Sequence, residues 1–204
     1  MSTLITLVRH GEVYNPQQIM YGRLPNYALS DRGHAQARSA AEALRRLPLS
    51  ALYVSPQLRA QQTAQAIHAH HAHLSLVTDE RLDECLTPYE GRPHAELELM
   101  HHEVYKGNQA PYETERDIRA RLLAWLNEVR QRHPEQHTVG VTHGDMLVSA
   151  LLYAVGHPVD DIGRGQLPAY GLPEAYPATA SLFTLTYTSA EPDERPTWAY
   201  QRPY

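Results

Sequence analysis

The feature that most restricts the fold of this chain is a repeated order: a short apolar run, a polar cluster, then a segment of helical periodicity. The runs TLITLV at 3–8, ALYV at 51–54, LSLV at 74–77 and TVGVT at 138–142 are brief and rich in β-branched residues, as expected of strands covered on both faces. Between them lie helical patterns. One starts at Ser30 or Asp31 and puts Ala37, Ala40, Ala41 and Leu44 on one face before ending near Pro48. A second, with Ser55 as N-cap and Pro56 in the first turn, aligns Ala60, Thr63, Ala64 and Ile67. A third, 114–132, carries the stripe Ile118, Leu122, Trp125 and Val129. Parallel neighbours need helical crossovers, so the order predicts an α/β fold, a three-layer α/β/α sandwich around a mainly parallel sheet. Residues 79–111 read as mostly loop with a short helix near 94–102, and 157–178 as a Pro/Gly/Tyr-rich loop. LFTLTY at 182–187 alternates as a further strand, with TWAYQ at 197–201 as an edge.

Length and composition exclude several classes. The 204 residues suffice for one sizeable core, and nothing splits them, so residues 1–204 are expected to form a single domain. A formal charge of −5, a single lysine and dispersed arginines argue against a nucleic-acid surface. The longest apolar stretch, MLVSALLYAVG at 146–156, falls short of the roughly 20 residues that span a bilayer. One cysteine, Cys85, rules out an internal disulfide, and the N-terminal residues lack the pattern of a secretion signal. The expected location is cytoplasmic. The sequence leaves the oligomeric state open, a dimer among the options.

In open α/β sheets ligands bind beyond the carboxyl ends of the strands, and the residues there are chemically distinctive. The first strand is followed by Arg9, His10, Gly11 and Glu12; the second by a segment with Arg59; the third by Glu84; the fourth by His143, Gly144 and Asp145. Arginine forks match phosphoryl oxygens, and Arg59 lies in the first turn of its helix, where free N–H groups favour an anion. A neutral histidine can attack phosphorus, with Gly11 permitting close approach of backbone and phosphate. A carboxylic acid raised by partial burial can protonate the leaving alkoxide, and Glu84 stands where such an acid is needed. These arguments leave open which histidine attacks. Neither a nucleotide-binding glycine motif nor a metal-ligand pattern is present, so no cofactor and no metal are expected.

Four motifs in order, LVRHGE, SPxxRAxQTA at 55–64, LxE at 82–84 and THGD at 142–145, resemble the histidine phosphatase superfamily, also called phosphoglycerate mutase-like, over residues 3 to about 156. The resemblance implies that His10 is the phosphorylated nucleophile, that Arg9, Arg59 and His143 hold the phosphoryl group, and that Glu84 is the proton donor. It further implies a metal-independent phosphomonoester hydrolase of the acid type, acting through phosphohistidine on a small phosphorylated metabolite and releasing inorganic phosphate. Cofactor-dependent mutases of the family carry a long insertion between the acid and the second histidine, whereas Glu84 and His143 stand only 59 positions apart. A mutase-type phosphotransferase and a non-catalytic phospholigand sensor remain the alternatives. The family's asparagine usually follows the nucleophile one position later than Asn15, which Pro16 directly follows. Asn15 is therefore a candidate for substrate contact rather than an assignment, and Arg23, in the segment 21–30 expected to wall the pocket, is a candidate to hold a second acidic group of the substrate.

Three other features have plain readings. The run HAHHAH at 68–73 lies at the far end of its helix without a carboxylate or cysteine partner. Cys85 reads as a small buried hydrophobe, and the Tyr-rich tail at 199–204 as either an edge or a partner-binding strand.

Overall fold

The structure, a computed structural model, describes residues 2–99, 104–158 and 164–204. Six strands form one sheet in the order β3-β2-β4-β1-β5-β6: β1 (Thr3–Arg9), β2 (Leu49–Val54), β3 (Leu76–Thr78), β4 (His137–Thr142), β5 (Leu182–Tyr187) and β6 (Thr197–Gln201). The first four are mutually parallel, and β5 and β6 add an antiparallel edge. The helices are α1 (Asp31–Leu44), α2 (Leu58–His68), α3 (His94–Leu99), α4 (Glu115–Arg132) and α5 (Gly144–Ala154). Short 3-10 turns occupy Glu80–Leu82 and Arg164–Tyr170. No helix among the described residues is long and apolar enough to cross a membrane.

The crossovers explain the layers. The chain steps one way along the sheet from β1 to β2 to β3 and then returns to β4, and right-handed crossovers place helices of opposite step on opposite faces. Accordingly α1 and α2 bury Ala40, Ala41, Leu44, Ala60, Ala64 and Ile67 against Val8, Leu52, Val54, Val139 and Val141. On the other face α4 and α5 bury Leu122, Trp125, Leu126, Leu147 and Leu151 against Ile5, Leu7 and Tyr53. Each fully buried aliphatic side chain of this kind contributes about 1.5–3 kcal/mol, and the strictly alternating faces of β1 and β2 divide that contribution between the two layers.

Local signals start the helices where they are needed. Ser30 caps α1 by accepting from Gly33 N–H at 3.0 Å, and Thr114 and Asp117 form a reciprocal capping box at α4. Several boundaries differ from the sequence reading: β1 and β4 are each one residue longer, and β2 starts at Leu49, two residues before ALYV. The third strand is Leu76–Thr78, two residues beyond the start of LSLV, because its pairing with β2 runs Leu52↔Leu76 to Val54↔Thr78. Helix α2 begins at Leu58 with Gln57 as its N-cap residue; Ser55 stands two residues before that cap, its Oγ accepting from the Gln57 amide at 3.3 Å and facing His143 and Asp83. The short helix read near 94–102 occupies 94–99, and the rest of that range, from 100, lies outside the described residues.

Gly140 sits in β4 directly beneath Trp125: a Cβ there would meet the indole Cη2 at 2.7 Å. Trp125 is itself fully buried and has nowhere to move. Gly140→Ala is expected to lower stability by about 1–3 kcal/mol through overpacking, read as a lower urea midpoint with an unchanged slope.

Candidate active site

Strand register brings the site together. Arg9 pairs with Thr142 across β1 and β4, so the residues that follow each, His10 and His143, emerge at the same height. The His10 amide donates to Thr142 O at 3.0 Å, and the Ser55 amide beyond β2 donates to Val141 O at 2.9 Å. The two imidazole rings stand 5.2 Å apart, tilted by 60°.

Arg59 occupies the space between them. It reaches inward from α2 and is 0% exposed. Its Nε donates to His10 Nε2 at 3.3 Å, and one terminal nitrogen donates to Gly22 O at 2.8 Å and lies 3.3 Å from His143 Nδ1. The same nitrogen is 3.5 Å from Glu84 Oε2, and the Tyr21 ring covers the guanidinium at 4.8 Å. Arg9 is oriented in a similar way, donating to Pro177 O with its guanidinium 4.9 Å from the Tyr176 ring centre. Its Nε is buried without a hydrogen-bond partner among the described residues.

The hydrogen bonds fix the histidine tautomers. Gly11 O can only accept, so His10 Nδ1, at 2.7 Å, carries the proton and Nε2 keeps its lone pair toward Arg59. Ser55 Oγ lies 2.7 Å from His143 Nε2 and donates to Asp83 Oδ1 at 3.3 Å. Burial, with Arg59 adding to it, holds both imidazoles well below the ordinary histidine value, so both are neutral near pH 7.

Glu84 is presented by the segment after the Glu80–Leu82 turn. That segment is tied down where Thr142 Oγ1 donates to Leu82 O at 2.6 Å and Asp83 Oδ1 accepts from the Glu84 amide at 2.7 Å. The Glu84 carboxylate reaches His143 Nδ1 at 3.3 Å. Burial raises its carboxyl, with Arg59 opposing and Asp145 reinforcing the shift.

The remaining candidates are placed differently. Asn15 is spent locally: its Nδ2 donates to Ile19 O at 2.8 Å, and its Oδ1 accepts from the Ile19 amide at 3.3 Å. Arg23 donates to Glu84 O at 2.7 Å and to Glu113 at 2.8 Å, so its fork braces the segment that carries the acid. Gly11 packs against the first turn of α1: a Cβ would stand 2.4 Å from Gly33 O. Backbone packing, rather than phosphate approach, is the observed demand for glycine there. In the histidine-rich run, His68 bonds Leu74 O at 2.8 Å and the buried His71 bonds Leu44 O at 3.1 Å. Among the described residues, close groupings of metal-type ligands occur only at the strand ends, where His10, Glu84 and His143 come together. That triangle already faces the Arg59 guanidinium, a fixed cation that opposes a metal ion in the same place. Cys85 is buried in the core, and the tail forms the edge strand β6, with Tyr200 accepting from the Ala178 amide at 2.8 Å.

Sequence reasoning did not single out Ser55, Asp83 or Thr63 for the site. Thr63 Oγ1 accepts from the Gly11 amide at 3.1 Å and donates to Arg59 O at 2.8 Å, joining the β1 loop to α2. Ser55 and Thr63 lie inside the SPxxRAxQTA motif, so the signal was present without its partners. Asp83 had none.

Paired arginines and paired neutral imidazoles beside a raised carboxyl define a buried anion-receiving site at the carboxyl edge of a parallel sheet. A sequence profile of the histidine phosphatase superfamily (branch 1) matches residues 5–175, and the chain belongs to that superfamily. It is 36% identical over 165 residues to an uncharacterized protein of Mycobacterium tuberculosis, covering 76% of this chain and 79% of the relative. It is 34% identical over 143 residues to fructose-2,6-bisphosphatase TIGAR B of Danio rerio, covering 65% and 55%. The native structure of a mycobacterial glucosyl-3-phosphoglycerate phosphatase superposes with a TM-score of 0.78 over 99% of this chain and 98% of that one. At 24% identity that likeness establishes the phosphoglycerate mutase-like fold.

Neutral buried imidazoles link stability to pH. Below an unfolded-state value of about 6.5, His10 and His143 take up protons only on unfolding, so stability falls as pH drops, by up to about 1.4 kcal/mol per pH unit for each. Urea midpoints measured from neutral pH downward are expected to show this decline, and a His10→Ala, His143→Ala double variant is expected to flatten it.

Proposed function

We propose that the protein is a metal-independent phosphomonoester hydrolase that works through a phosphohistidine at His10 on a small phosphorylated metabolite. The observation that carries this reading is the His10 imidazole itself: buried, neutral, anchored through Nδ1–H to Gly11 O, with Nε2 and its lone pair facing the Arg59 guanidinium. Family membership and the phosphatase names of relatives support it.

In the first step His10 Nε2 attacks phosphorus and the ester P–O bond breaks. The leaving alkoxide takes the proton of Glu84, whose carboxyl burial pushes above the ordinary glutamate value. Arg9 and Arg59 neutralise the phosphoryl oxygens, the Arg9 Nε, without a hydrogen-bond partner among the described residues, supplying one donor. His143, neutral in the free protein, takes a proton from solvent as the phosphoryl dianion binds and returns it to solvent when inorganic phosphate leaves, its Nε2 side braced by Ser55 and Asp83 throughout. In the second step the Glu84 carboxylate takes a proton from water, water oxygen bonds to phosphorus, the P–N bond breaks, and inorganic phosphate leaves with His10 neutral again.

Relatives named for sugar-phosphate substrates direct the first substrate panel to phosphorylated sugars and phosphoglycerate esters. With a chromogenic aryl phosphate and EDTA present, the wild type is expected to release phosphate and form an acid-labile phosphoenzyme, and His10→Ala neither. Undiminished release by folded His10→Ala would overturn the reading. Glu84→Gln is expected to reduce kcat on alkyl phosphates about 100- to 10,000-fold, with a much smaller effect on aryl phosphates, compared by steady-state phosphate release.

A further inference from the structure

Two carboxyl groups meet at the inner end of the site. The carboxylate oxygens of Glu84 and Asp145 and the Cys85 sulfur lie within 4.8 Å of one another. Their surroundings are opposite in kind. Asp145, in the first turn of α5, accepts from Tyr176 OH at 2.5 Å and from Tyr105 OH. Tyr105 comes from the segment between α3 and α4, and Tyr176 from the loop before β5, so two separate walls of the pocket converge on one carboxylate. Hydrogen bonds from two phenols, together with the amide end of a helix, favour its charged form. Glu84 accepts a 3.0 Å bond from the Cys85 amide and lies 3.5 Å from Arg59 and 3.3 Å from His143 Nδ1, with its side chain mostly enclosed and no phenol donating to it.

We propose that Asp145, clamped in its ionised form by Tyr105 and Tyr176, is a positioning residue that keeps the neighbouring Glu84 carboxyl in its acid form. A fixed negative charge within contact range disfavours a second one, and two carboxyl groups in unlike environments separate into one base and one acid. The groups facing Glu84 are Arg59 from α2, Arg9 from β1, His10 after it, Tyr21 from the segment before α1, His143 and Asp145 at the start of α5, and Asp83 and Cys85 beside it, while Arg23 and, from α4, Arg121 donate to its backbone carbonyl. Arg59, 3.5 Å away, acts to ionise Glu84. Asp145 offsets that pull without touching substrate. Tyr105 also remains a donor throughout, because burial and Asp145 push its phenol well above the ordinary tyrosine value. The inference rests on the reading of Glu84 as the proton donor.

The test is the pH dependence of kcat/KM for wild type and Asp145→Asn with two substrates: glycerol phosphate, whose leaving group needs a proton, and p-nitrophenyl phosphate, whose leaving group does not. With the aspartate charge removed, Glu84 ionises more easily. The alkaline limb for glycerol phosphate is therefore expected to move about one pH unit lower, a roughly tenfold loss above it. The p-nitrophenyl phosphate rate is expected to stay within about twofold of wild type. An unmoved limb, or equal losses on both substrates, overturns the proposal. Should circular dichroism show Asp145→Asn unfolded, carboxyl ¹³C titration of the wild type decides: the step at highest pH vanishes in Glu84→Gln if Glu84 holds the proton, and survives if Asp145 does. Activity of His10→Ala reports separately on the underlying mechanism, so failure of that reading is distinguishable from failure of this one.

Discussion

Everything at the strand ends is arranged around one buried cation. Arg59 has no solvent access, and an arginine cannot shed its charge to escape that environment. Desolvating a full charge costs several kcal/mol unless the protein surrounds it with acceptors. Gly22 O, His10 Nε2, His143 Nδ1 and Glu84 Oε2 are those acceptors, and the Tyr21 ring closes over the top. The loop after β1, the segment after β3 and the start of α5 are thus held in place by a group whose own burial demands them.

The same cation sets the electrostatics. Its field, added to burial, keeps two adjacent imidazoles neutral, each with its lone pair turned toward the guanidinium. It also pulls against the acid form of Glu84, which burial favours. The guanidinium that faces His10 Nε2 therefore opposes the surroundings of Glu84.

Much of the fold was legible because its signals are local. The alternation of β-branched runs and small-residue helical stripes gave the layers, whereas the sheet order β3-β2-β4-β1-β5-β6 came only from strand pairing, since crossover handedness sets the face of each helix and not which strands are neighbours. The boundaries of β3 and α2 shifted for tertiary reasons. Only pairing with β2 sets where a three-residue edge strand starts, and the helix N-cap falls two residues later than Ser55, whose hydroxyl joins the Gln57 amide to His143. The positions of Arg9, His10, Arg59, Glu84 and His143 at strand ends were legible for the same reason: a strand end is a local property, and in-register parallel strands convert it into a common rim.

By itself the sequence determined the fold class, the family motifs and the five groups that converge. Those depend on periodicity, side-chain chemistry and the boundaries of short segments. Only the tertiary structure decided what each group faces. It turned Ser55 from a cap into a support for His143, gave Gly11 the task of passing Gly33 O, and used Arg23 and Asn15 to brace the chain. It also brought Tyr105 and Tyr176 onto Asp145 from loops 31 positions apart or more in sequence. Hydrogen-bond partners and burial belong to distances between remote segments, and no spacing along the chain encodes them.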